Sequence, residues 1–290
     1  MPKNTTTKKK ILLTGATGYV GGLILKNFHE TWEIISISRK TTNITPSIAC
    51  DLTDKKYVER LARLVKPDTI IHAAGNKNLA FCESNPHQAY AVNVETTLNL
   101  LAVFPDTPLI YISSDYVFPG DRGNYRETDP IAPQTVYGRT KACAELAGET
   151  LSHHFITLRL SALYDQQATF LGFLQQALSA SKSVDCFTDA YYSPTYHTDF
   201  LNTLECLIEH PLGHRRIFHA CGQRISRYFF ARLYARAHGF DEALIRPASR
   251  VIENPPFLFA DLSMENTLTR ELLDLPISPH KDALINLAQQ

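Results

Sequence analysis

The sequence lacks long apolar runs, an excess of charge of one sign and closely spaced cysteines. No run of about 18 apolar residues occurs, so a membrane-spanning helix is not expected. The polar, basic stretch Met1–Lys10 has no apolar core of the kind found in signal peptides. The 29 Lys and Arg residues balance the 29 Asp and Glu residues, so net charge gives no indication of a nucleic-acid or membrane partner.

The six cysteines argue against two structural roles. They lie at positions 50, 82, 143, 186, 206 and 221, with no Cys-x-x-Cys pair and no Cys/His cluster at zinc spacing. We therefore expect free cysteines in a reducing compartment, no metal site and a cytoplasmic protein. At 290 residues with 44% hydrophobic residues, the chain is long and apolar enough to bury a substantial core.

A glycine-rich turn follows the first apolar run. Lys10–Thr14 is predicted to be a strand, and Gly15-Ala16-Thr17-Gly18-Tyr19-Val20-Gly21 leads from it into a helical pattern. A strand, glycines and a helix in this order indicate a dinucleotide site. Gly15 would make the tight turn, Gly18 would let backbone amides approach a pyrophosphate, and Gly21 would let the helix pack on the strand. The spacing is G-x-x-G-x-x-G, and a purely structural turn is the alternative.

Three further strand ends complete the predicted cofactor site. The second strand, Glu33–Ser38, runs into Ser38-Arg39-Lys40, and two cations with a hydroxyl favour the 2′-phosphate of NADP, with a solvated turn as the alternative. Asp51 and Leu52 follow the third strand and are expected beside the adenine. The fourth strand ends in Ala73-Ala74-Gly75, whose small residues let a cofactor lie close to the backbone. We predict NADP as cofactor, with NADPH preferred and NADH as the alternative, and His72 as a packed core histidine.

Strands and helices alternate six times up to the strand at residues 154–160, which predicts a Rossmann-like α/β fold with a doubly wound parallel sheet. We expect an NAD(P)-binding domain over residues 9–163, to which residues 196–222 return, and a smaller substrate-binding lobe over residues 164–290. A helix is expected from about Pro86 to Phe104. Asn93 interrupts its apolar stripe, either as a solvated residue or as one that holds backbone near the catalytic helix.

A second group of residues indicates proton transfer. The fifth strand ends at Ser114, and the following helix carries Tyr137 and Lys141 one turn apart on the same face. A neighbouring ammonium favours the phenolate, so Tyr137 can exchange a proton with a sugar or alcohol oxygen. Ligands of parallel sheets lie off the carboxyl ends of the strands, so we expect Ser114 to hydrogen-bond that oxygen, while Tyr137 and Lys141 also border the cofactor. The alternative is a half-buried tyrosine beside a solvated lysine.

These motifs resemble the extended short-chain dehydrogenase/reductase superfamily. Within it, the chain is similar to the dTDP-4-dehydrorhamnose reductase family through four sets of residues: Ser114-Asp115-Tyr116-Val117-Phe118-Pro119-Gly120, Val136–Lys141 with Glu145, the Cys82 to Asn93 pattern, and Ser193-Pro194-Thr195 with Asp199. Matching segments continue to Asp261–Asn266. The resemblance therefore covers nearly the whole chain.

The resemblance implies NADPH-dependent reduction of a 4-keto group on a nucleotide-linked deoxysugar, for surface-polysaccharide synthesis. Carried over by position, Ser114, Tyr137 and Lys141 form the catalytic triad, with Tyr137 as general acid. Ser114, Asp115, Tyr116 and Val117 would line the sugar site. The family carries a Trp in the loop after the sixth strand, where this chain has Ala162, and its single Trp is Trp32. The identity of the sugar and of its nucleotide is therefore left open.

Other activities on the same fold remain as alternatives. A dehydratase would carry a carboxylate pair here, but Tyr116 follows Asp115. An epimerase would use the same triad, although the basic pair Arg39 and Lys40 disfavours the NAD that epimerases prefer. A non-catalytic NADP-binding subunit, similar to the β subunit of methionine adenosyltransferase, would serve a partner enzyme instead. A homodimer is an alternative to a monomer.

Overall fold

The computed structural model describes residues 8–39, 46–210, 216–250 and 259–290. The chain divides into two units that alternate along the sequence. Unit 1 consists of Met1–Ser113, Arg139–Leu158 and His214–Arg216, and unit 2 of Ser114–Gly138, Arg159–Gly213 and Ile217–Gln290. The predicted division at residue 163 rested on where the regular alternation ends, and it stays a prediction.

The first part of the chain forms alternating strands and helices. Its strands are β1 Lys10–Thr14, β2 Glu33–Ser38, β3 Ser47–Ala49, β4 Thr69–His72, β5 Leu109–Ser114 and β6 Phe155–Leu160. Its helices are α1 Tyr19–Phe28, α2 Lys55–Leu64, α3 Leu79–Ser84, α4 Pro86–Tyr90, α5 Thr96–Val103 and α6 Val136–Leu151. A π-helical turn, Ala91–Glu95, joins α4 to α5.

The later part of the chain has shorter strands. These are β7 Leu163–Tyr164, β8 Val184–Phe187, β9 Tyr191–Tyr192, β10 Thr195–Tyr196, β11 Ile217–Ala220, β12 Ile225–Ser226 and β13 Ile245–Ala248. The helices are α7 Thr169–Ser179, α8 His197–Glu209, α9 Arg227–Ala237, α10 Thr267–Leu273 and α11 His280–Ala288. Three two-stranded sheets pair β7 with β10, β9 with β12 and β8 with β13.

The central sheet has seven strands in the order β11-β6-β5-β4-β1-β2-β3. Strand β1 pairs in parallel with both β2 and β4, and the β2–β3 and β4–β5 pairs are also parallel. The strand order reverses between β1 and β4, which is where open parallel sheets bind ligands. The predicted Rossmann-like fold with a doubly wound parallel sheet is confirmed.

The core of unit 1 lies between this sheet and its helices. Leu12, Ile70 and Tyr111 come from three strands, are fully buried, and belong to one apolar cluster with Leu61 of α2 and Leu100 of α5. Asp54 is the N-cap of helix α2, and its carboxylate accepts a hydrogen bond from the Lys56 N–H at 2.9 Å. The apolar faces of α2 and α5 therefore pack against the strands of this sheet.

Unit 2 has an aromatic core around Phe230 of α9. The Phe230 ring lies 5.1 Å from that of Tyr164, 5.8 Å from Tyr192 and 5.5 Å from the imidazole of His280, measured between centroids. All three contacts are edge-on, an arrangement that aromatic rings favour. The core therefore packs helix α9 against β7, β9 and the start of α11.

No helix in the described ranges combines the length and the apolar character needed to cross a membrane.

Candidate active site

The glycine turn after β1 permits very close backbone contacts within unit 1. Gly15 has a φ of +73°, and a Cβ atom there would lie 2.6 Å from the amide nitrogen of Ala74. A Cβ on Gly21 would lie 2.2 Å from the Gly15 carbonyl oxygen. Both distances are far shorter than real contacts, so larger residues would force β1, α1 and the loop after β4 apart. The geometry agrees with the tight turn expected at Gly15 and the close packing expected at Gly21, and their place in a cofactor site stays a prediction.

The N-terminus of α1 is suited to a phosphate group. Gly18 is its N-cap and offers no side chain to the first-turn N–H groups, and no acidic residue lies in that turn. Such uncapped N–H groups, at the positive end of the helix dipole, are a common binding site for phosphates. The residues present therefore fit the pyrophosphate of a dinucleotide.

The other predicted cofactor residues lie around the same strand ends. Thr17 and Arg39 are exposed, Ser38 is half-buried at the end of β2, and Lys40 lies outside the described residues. Asp51 is exposed and accepts hydrogen bonds from the N–H and hydroxyl of Thr53 at 3.0 and 2.7 Å. The remaining members are half-buried Tyr19, Val20, Ala73 and Ala74, buried Leu52 and Gly21, and exposed Gly75.

His72 is a packed core histidine, as predicted. Its Nδ1 lies 2.7 Å from the Thr14 hydroxyl and its Nε2 3.1 Å from the Thr97 hydroxyl. Burial lowers the pKa of His72 to about 3, and the charge of Lys141 lowers it further, so the imidazole stays neutral. The Thr14 hydroxyl also accepts a hydrogen bond from the Ala74 N–H at 3.2 Å. His72 thus helps to fix the loop after β4 rather than acting as a catalyst.

Asn93 is buried, which rules out its interpretation as a solvated residue. Its Oδ1 accepts a hydrogen bond from the Asn76 N–H at 2.7 Å, and its Nδ2 lies 3.1 Å from the Asn76 carbonyl and 3.0 Å from the Thr140 hydroxyl. It lies in the π-helical turn, and π-helical turns are frequent at functional sites. Asn93 therefore links the loop after β4 to helix α6 at the residue before Lys141.

Lys141 is buried in unit 1, so the interpretation as a solvated lysine is wrong. Its Nζ donates to the Ile112 carbonyl at 2.6 Å and lies 4.2 Å from the ring centroid of Tyr111. Burial lowers the pKa of Lys141 to about 7, while the negative charge of Glu145 acts in the opposite direction. Glu145 is itself buried and accepts a hydrogen bond from the Ser113 hydroxyl. The ammonium is therefore held at the carboxyl end of β5 and is close to its titration range at neutral pH.

Ser114 and Asp115 form a buried hydrogen-bond network in unit 2. The Ser114 hydroxyl donates to Asp115 Oδ1 at 2.9 Å and accepts from the Tyr116 N–H at 3.3 Å. Ser161, just after β6, donates to Asp115 Oδ2 at 2.8 Å. Burial raises the pKa of Asp115 to about 6, against the hydrogen bonds from Ser161 and Ser114 and the charge of Arg227, which lower it. The network holds the Ser114 hydroxyl in a defined orientation.

Tyr137 is half-buried at the start of α6. Its ring meets that of Tyr116 edge-on with centroids 5.7 Å apart, and Tyr116 in turn meets Phe259 edge-on at 5.5 Å. A Cβ on the next residue, Gly138, would lie only 2.1 Å from the Tyr116 carbonyl oxygen. Gly138 therefore allows the start of α6 to approach the turn that follows Ser114.

The structure does not favour every predicted sugar-site residue equally. Ser114, Asp115 and Tyr116 lie together around the short 3-10 turn Asp115–Val117, whereas the side chain of Val117 is fully buried in unit 2. The burial of Val117 gives no support to its place in the sugar site, which stays a prediction. Ala162, where the resemblance implies a Trp, is exposed.

Sequence reasoning missed Ser161 and Gly138. Ser161 lies at the carboxyl end of β6, and Ser114 lies at the carboxyl end of the neighbouring strand β5. Ligands of parallel sheets bind at this edge, so the position of Ser161 could have identified it as a candidate site residue. Gly138 lies beside Tyr137 inside a helix, where glycine is unfavourable without a packing reason. No group of three His, Cys, Asp or Glu residues able to hold a metal ion occurs in the part of the chain that the structure describes.

Comparison with known proteins gives the family. The family described as RmlD substrate binding domain matches residues 9–285. The chain belongs to this family. Its RmlD relatives include the dTDP-4-dehydrorhamnose reductase of Aggregatibacter actinomycetemcomitans, which is 31% identical over 264 residues, covering 87% of this chain and 84% of the relative.

One further relative and one solved structure are also similar to this chain. The methionine adenosyltransferase 2 subunit beta of Xenopus laevis is 29% identical over 258 residues, covering 84% of this chain and 76% of that protein. The dTDP-4-dehydrorhamnose reductase of Bacillus anthracis, solved in complex with NADP, shares the fold with a TM-score of 0.85 and 23% identity, covering 97% of this chain and 98% of that one. The predicted resemblance is confirmed, and with it the class of NAD(P)-dependent oxidoreductases of the short-chain dehydrogenase/reductase type.

Proposed function

We propose that this protein reduces the 4-keto group of a nucleotide-linked deoxysugar with NADPH. The observation that carries the proposal is the buried Lys141 ammonium, bonded to the Ile112 carbonyl at the end of β5 and one helical turn from Tyr137. Burying an ammonium is costly, and a purely structural role does not require one at this place. Family membership and the similarity to dTDP-4-dehydrorhamnose reductases support this activity.

The proton steps are assigned to residues of this chain. We assign Tyr137 as the general acid that gives its phenol proton to the C4 oxygen of the sugar, while the Ser114 hydroxyl hydrogen-bonds the same oxygen. In this structure the Ser114 hydroxyl donates its one proton to Asp115 Oδ1, so we propose that the O–H turns from Asp115 to the sugar oxygen when the substrate binds. The Tyr116 N–H, which donates to the Ser114 oxygen, keeps that oxygen in position. When bound, NADPH supplies the hydride.

We propose that the charge of Lys141 increases the acidity of the Tyr137 phenol. A charged ammonium favours the phenolate, so it makes Tyr137 a stronger acid than free tyrosine. Glu145 helps to keep Lys141 charged against the effect of its burial. Since the pKa of Lys141 is about 7, the influence of the ammonium should decline above neutral pH in the free protein.

The cofactor is proposed to bind unit 1 along the ends of β1, β2 and β4. Its pyrophosphate would meet the uncapped N-terminus of α1 after Gly18, and its 2′-phosphate would meet Ser38, Arg39 and Lys40. We further propose a cytoplasmic site of action, because all six cysteines are free thiols, which suits a reducing compartment.

The test is direct. Purified protein is incubated with NADPH and a panel of dTDP- and UDP-linked 4-keto sugars, and the loss of nicotinamide absorbance is followed. We expect at least one sugar to consume NADPH. The reductase proposal fails if NADPH binds and no sugar consumes it, a result that would favour a non-catalytic subunit like the similar methionine adenosyltransferase protein.

A second experiment tests the general acid. Tyr137→Phe should lower turnover by about 10²–10⁴-fold while NADPH binding is retained, because only the proton donor is lost. Tyr90→Phe, which removes a hydroxyl from an exposed tyrosine, is the matched control and should leave turnover unchanged. Full activity of Tyr137→Phe would refute the assignment even if the protein is a reductase.

A further inference from the structure

Two oppositely charged side chains of helix α6 are buried against strand β5 in unit 1. Lys141 and Glu145 are each only 5% exposed. They lie four residues apart, so they share one face of the helix. Lysine and glutamate are seldom buried so completely unless they are paired or have a function. Their burial together must therefore be explained by what each charge does to the other and to its neighbours.

Consecutive residues of β5 hold the two charges. The Lys141 Nζ donates to the Ile112 carbonyl oxygen at 2.6 Å, and the hydroxyl of the next residue, Ser113, donates to Glu145 Oε1. Ser113 is itself buried. A hydrogen bond donated to a carboxylate stabilises its charged form. The ammonium and the carboxylate are therefore both fixed relative to the end of β5.

Glu145 is the charged group that acts on Lys141 within the described residues. From β5, the Tyr111 ring centroid lies 4.2 Å from Nζ, and the Tyr111 hydroxyl donates to the Asn93 carbonyl at 3.5 Å. From β4, His72 is coupled electrostatically to Lys141, but burial lowers the pKa of His72 to about 3, so the imidazole is uncharged at neutral pH. The negative charge that Lys141 senses therefore comes from its own helix.

Burial and the carboxylate act in opposite directions on the ammonium. Burial lowers the pKa of Lys141 to about 7, and the negative charge of Glu145 raises it. Without the carboxylate, the same burial would leave the amine neutral over more of the physiological pH range. A neutral amine does not favour the phenolate, so Tyr137 would lose the effect that Lys141 has on its acidity.

We propose that Glu145, held by Ser113, is a positioning residue that keeps Lys141 protonated where the enzyme works and so sets the upper pH limit of its activity. Glu145 acts through Lys141 and has no direct part in proton or hydride transfer. The inference rests on the proposed function for the meaning of that pH limit, but its main test needs no substrate.

The competing explanation is that the buried pair only docks α6 on β5. Glu145→Gln separates the two explanations. A glutamine side chain has nearly the same shape, and its amide oxygen can still accept from Ser113, but it carries no charge. A docking role predicts that the titration of Lys141 is unchanged in this variant, whereas the proposed role predicts that Lys141 loses its proton at lower pH.

The experiment is an NMR titration of the full chain labelled with ¹³C at the lysine ε carbons. The Lys141 resonance is identified by its absence in Lys141→Met, and we expect its midpoint near pH 7, well below the value of about 10.4 of ordinary lysines. Glu145→Gln should lower this midpoint by about one pH unit. Glu149→Gln removes a charge from an exposed position one turn further along α6, and should lower it by less than about 0.3 of a unit.

Ser113→Ala is a second variant in case Glu145→Gln does not fold. It leaves the charge of Glu145 and removes only the donor that stabilises it, so the Lys141 midpoint should fall by a smaller amount. The inference is overturned if Glu145→Gln titrates like wild type or like Glu149→Gln. If Glu145→Gln does not fold, an unchanged midpoint in Ser113→Ala overturns it.

Activity provides the second measurement. With a 4-keto sugar that consumes NADPH, the loss of kcat/KM at high pH should move to lower pH in Glu145→Gln by as much as the NMR midpoint, and should stay in place in Glu149→Gln. A shifted midpoint with an unshifted rate profile would overturn the link to activity. If the midpoint shifts while no sugar consumes NADPH, the effect of Glu145 on Lys141 stands and the reductase activity fails. If sugars are reduced and the midpoint stays in place, only the assignment of Glu145 fails.

Discussion

Replacing Gly138 with Ala tests how the start of helix α6 is positioned. The added Cβ would lie 2.1 Å from the Tyr116 carbonyl oxygen, and ordinary contact begins at 3.4 Å. Backbone on one side or the other must therefore move by about 1.3 Å, the difference between the two distances. Tyr137 precedes Gly138, and Tyr116 belongs to the turn that Ser114 caps, so this movement displaces proposed catalytic residues.

The expected effect is large on activity and small on stability. A misplacement of about 1 Å can cost about 100-fold in rate, so we expect kcat of Gly138→Ala to fall about 100-fold. The strain of overpacking, ~1–3 kcal/mol, is partly offset by the ~1 kcal/mol by which Ala exceeds Gly in helix propensity. The free energy of unfolding should therefore fall by only ~0–2 kcal/mol.

The assay combines NADPH consumption with urea unfolding, and Gly172→Ala is the matched control. Gly172 lies inside helix α7, and a Cβ there would have no atom within 4 Å. That variant should gain ~0.5–1 kcal/mol in stability and keep wild-type kcat. The reasoning is refuted if Gly138→Ala turns over within about twofold of wild type, or if Gly172→Ala loses activity to the same extent.

Three further changes test the buried polar groups. Asn93→Ala leaves the Asn76 N–H without its acceptor, so the free energy of unfolding should fall by ~1–3 kcal/mol; an unchanged urea midpoint would contradict this. The pKa of Asp115 is raised to about 6 in the folded protein, so the folded state binds the proton more tightly and stability falls as pH rises from about 4 to about 6. Urea titrations should show this fall in wild type and a smaller one in Asp115→Asn, and equal slopes would exclude it. The pKa of Lys141 is lowered to about 7, so the unfolded state holds that proton longer and the free energy of unfolding should rise from about pH 7 to about pH 10. Lys141→Met should lack that rise in the same titration, and a rise equal to that of wild type would show that Lys141 is not its source.

The elements that the sequence predicted well depend on local signals. The glycine turn follows from backbone geometry at Gly15, and the alternation of strands and helices follows from apolar periodicity. Strand β1, Lys10–Thr14, and strand β2, Glu33–Ser38, lie where the apolar runs predict them. The strands β7, β9, β10 and β12 were not predicted, because two-residue strands are too short to show a period and depend on pairing with distant partners.

The predicted helix from Pro86 to Phe104 illustrates the same limit. Helical residues run from Pro86 to Val103, but a π-helical turn surrounds Asn93. The partners of Asn93 are Asn76 and Thr140, which lie 17 and 47 positions away. Local sequence cannot specify a turn whose hydrogen-bond partners are so distant.

By itself, the sequence determined the fold class, the family and the identities of the proposed acid and its neighbours, because these depend on residue types at fixed spacings. Only the tertiary structure decided the electrostatic state of those groups. Lys141 and Asp115 have pKa values shifted towards neutrality because distant parts of each unit exclude water from them. Desolvation depends on everything that surrounds a group, and the surroundings exist only in the folded chain.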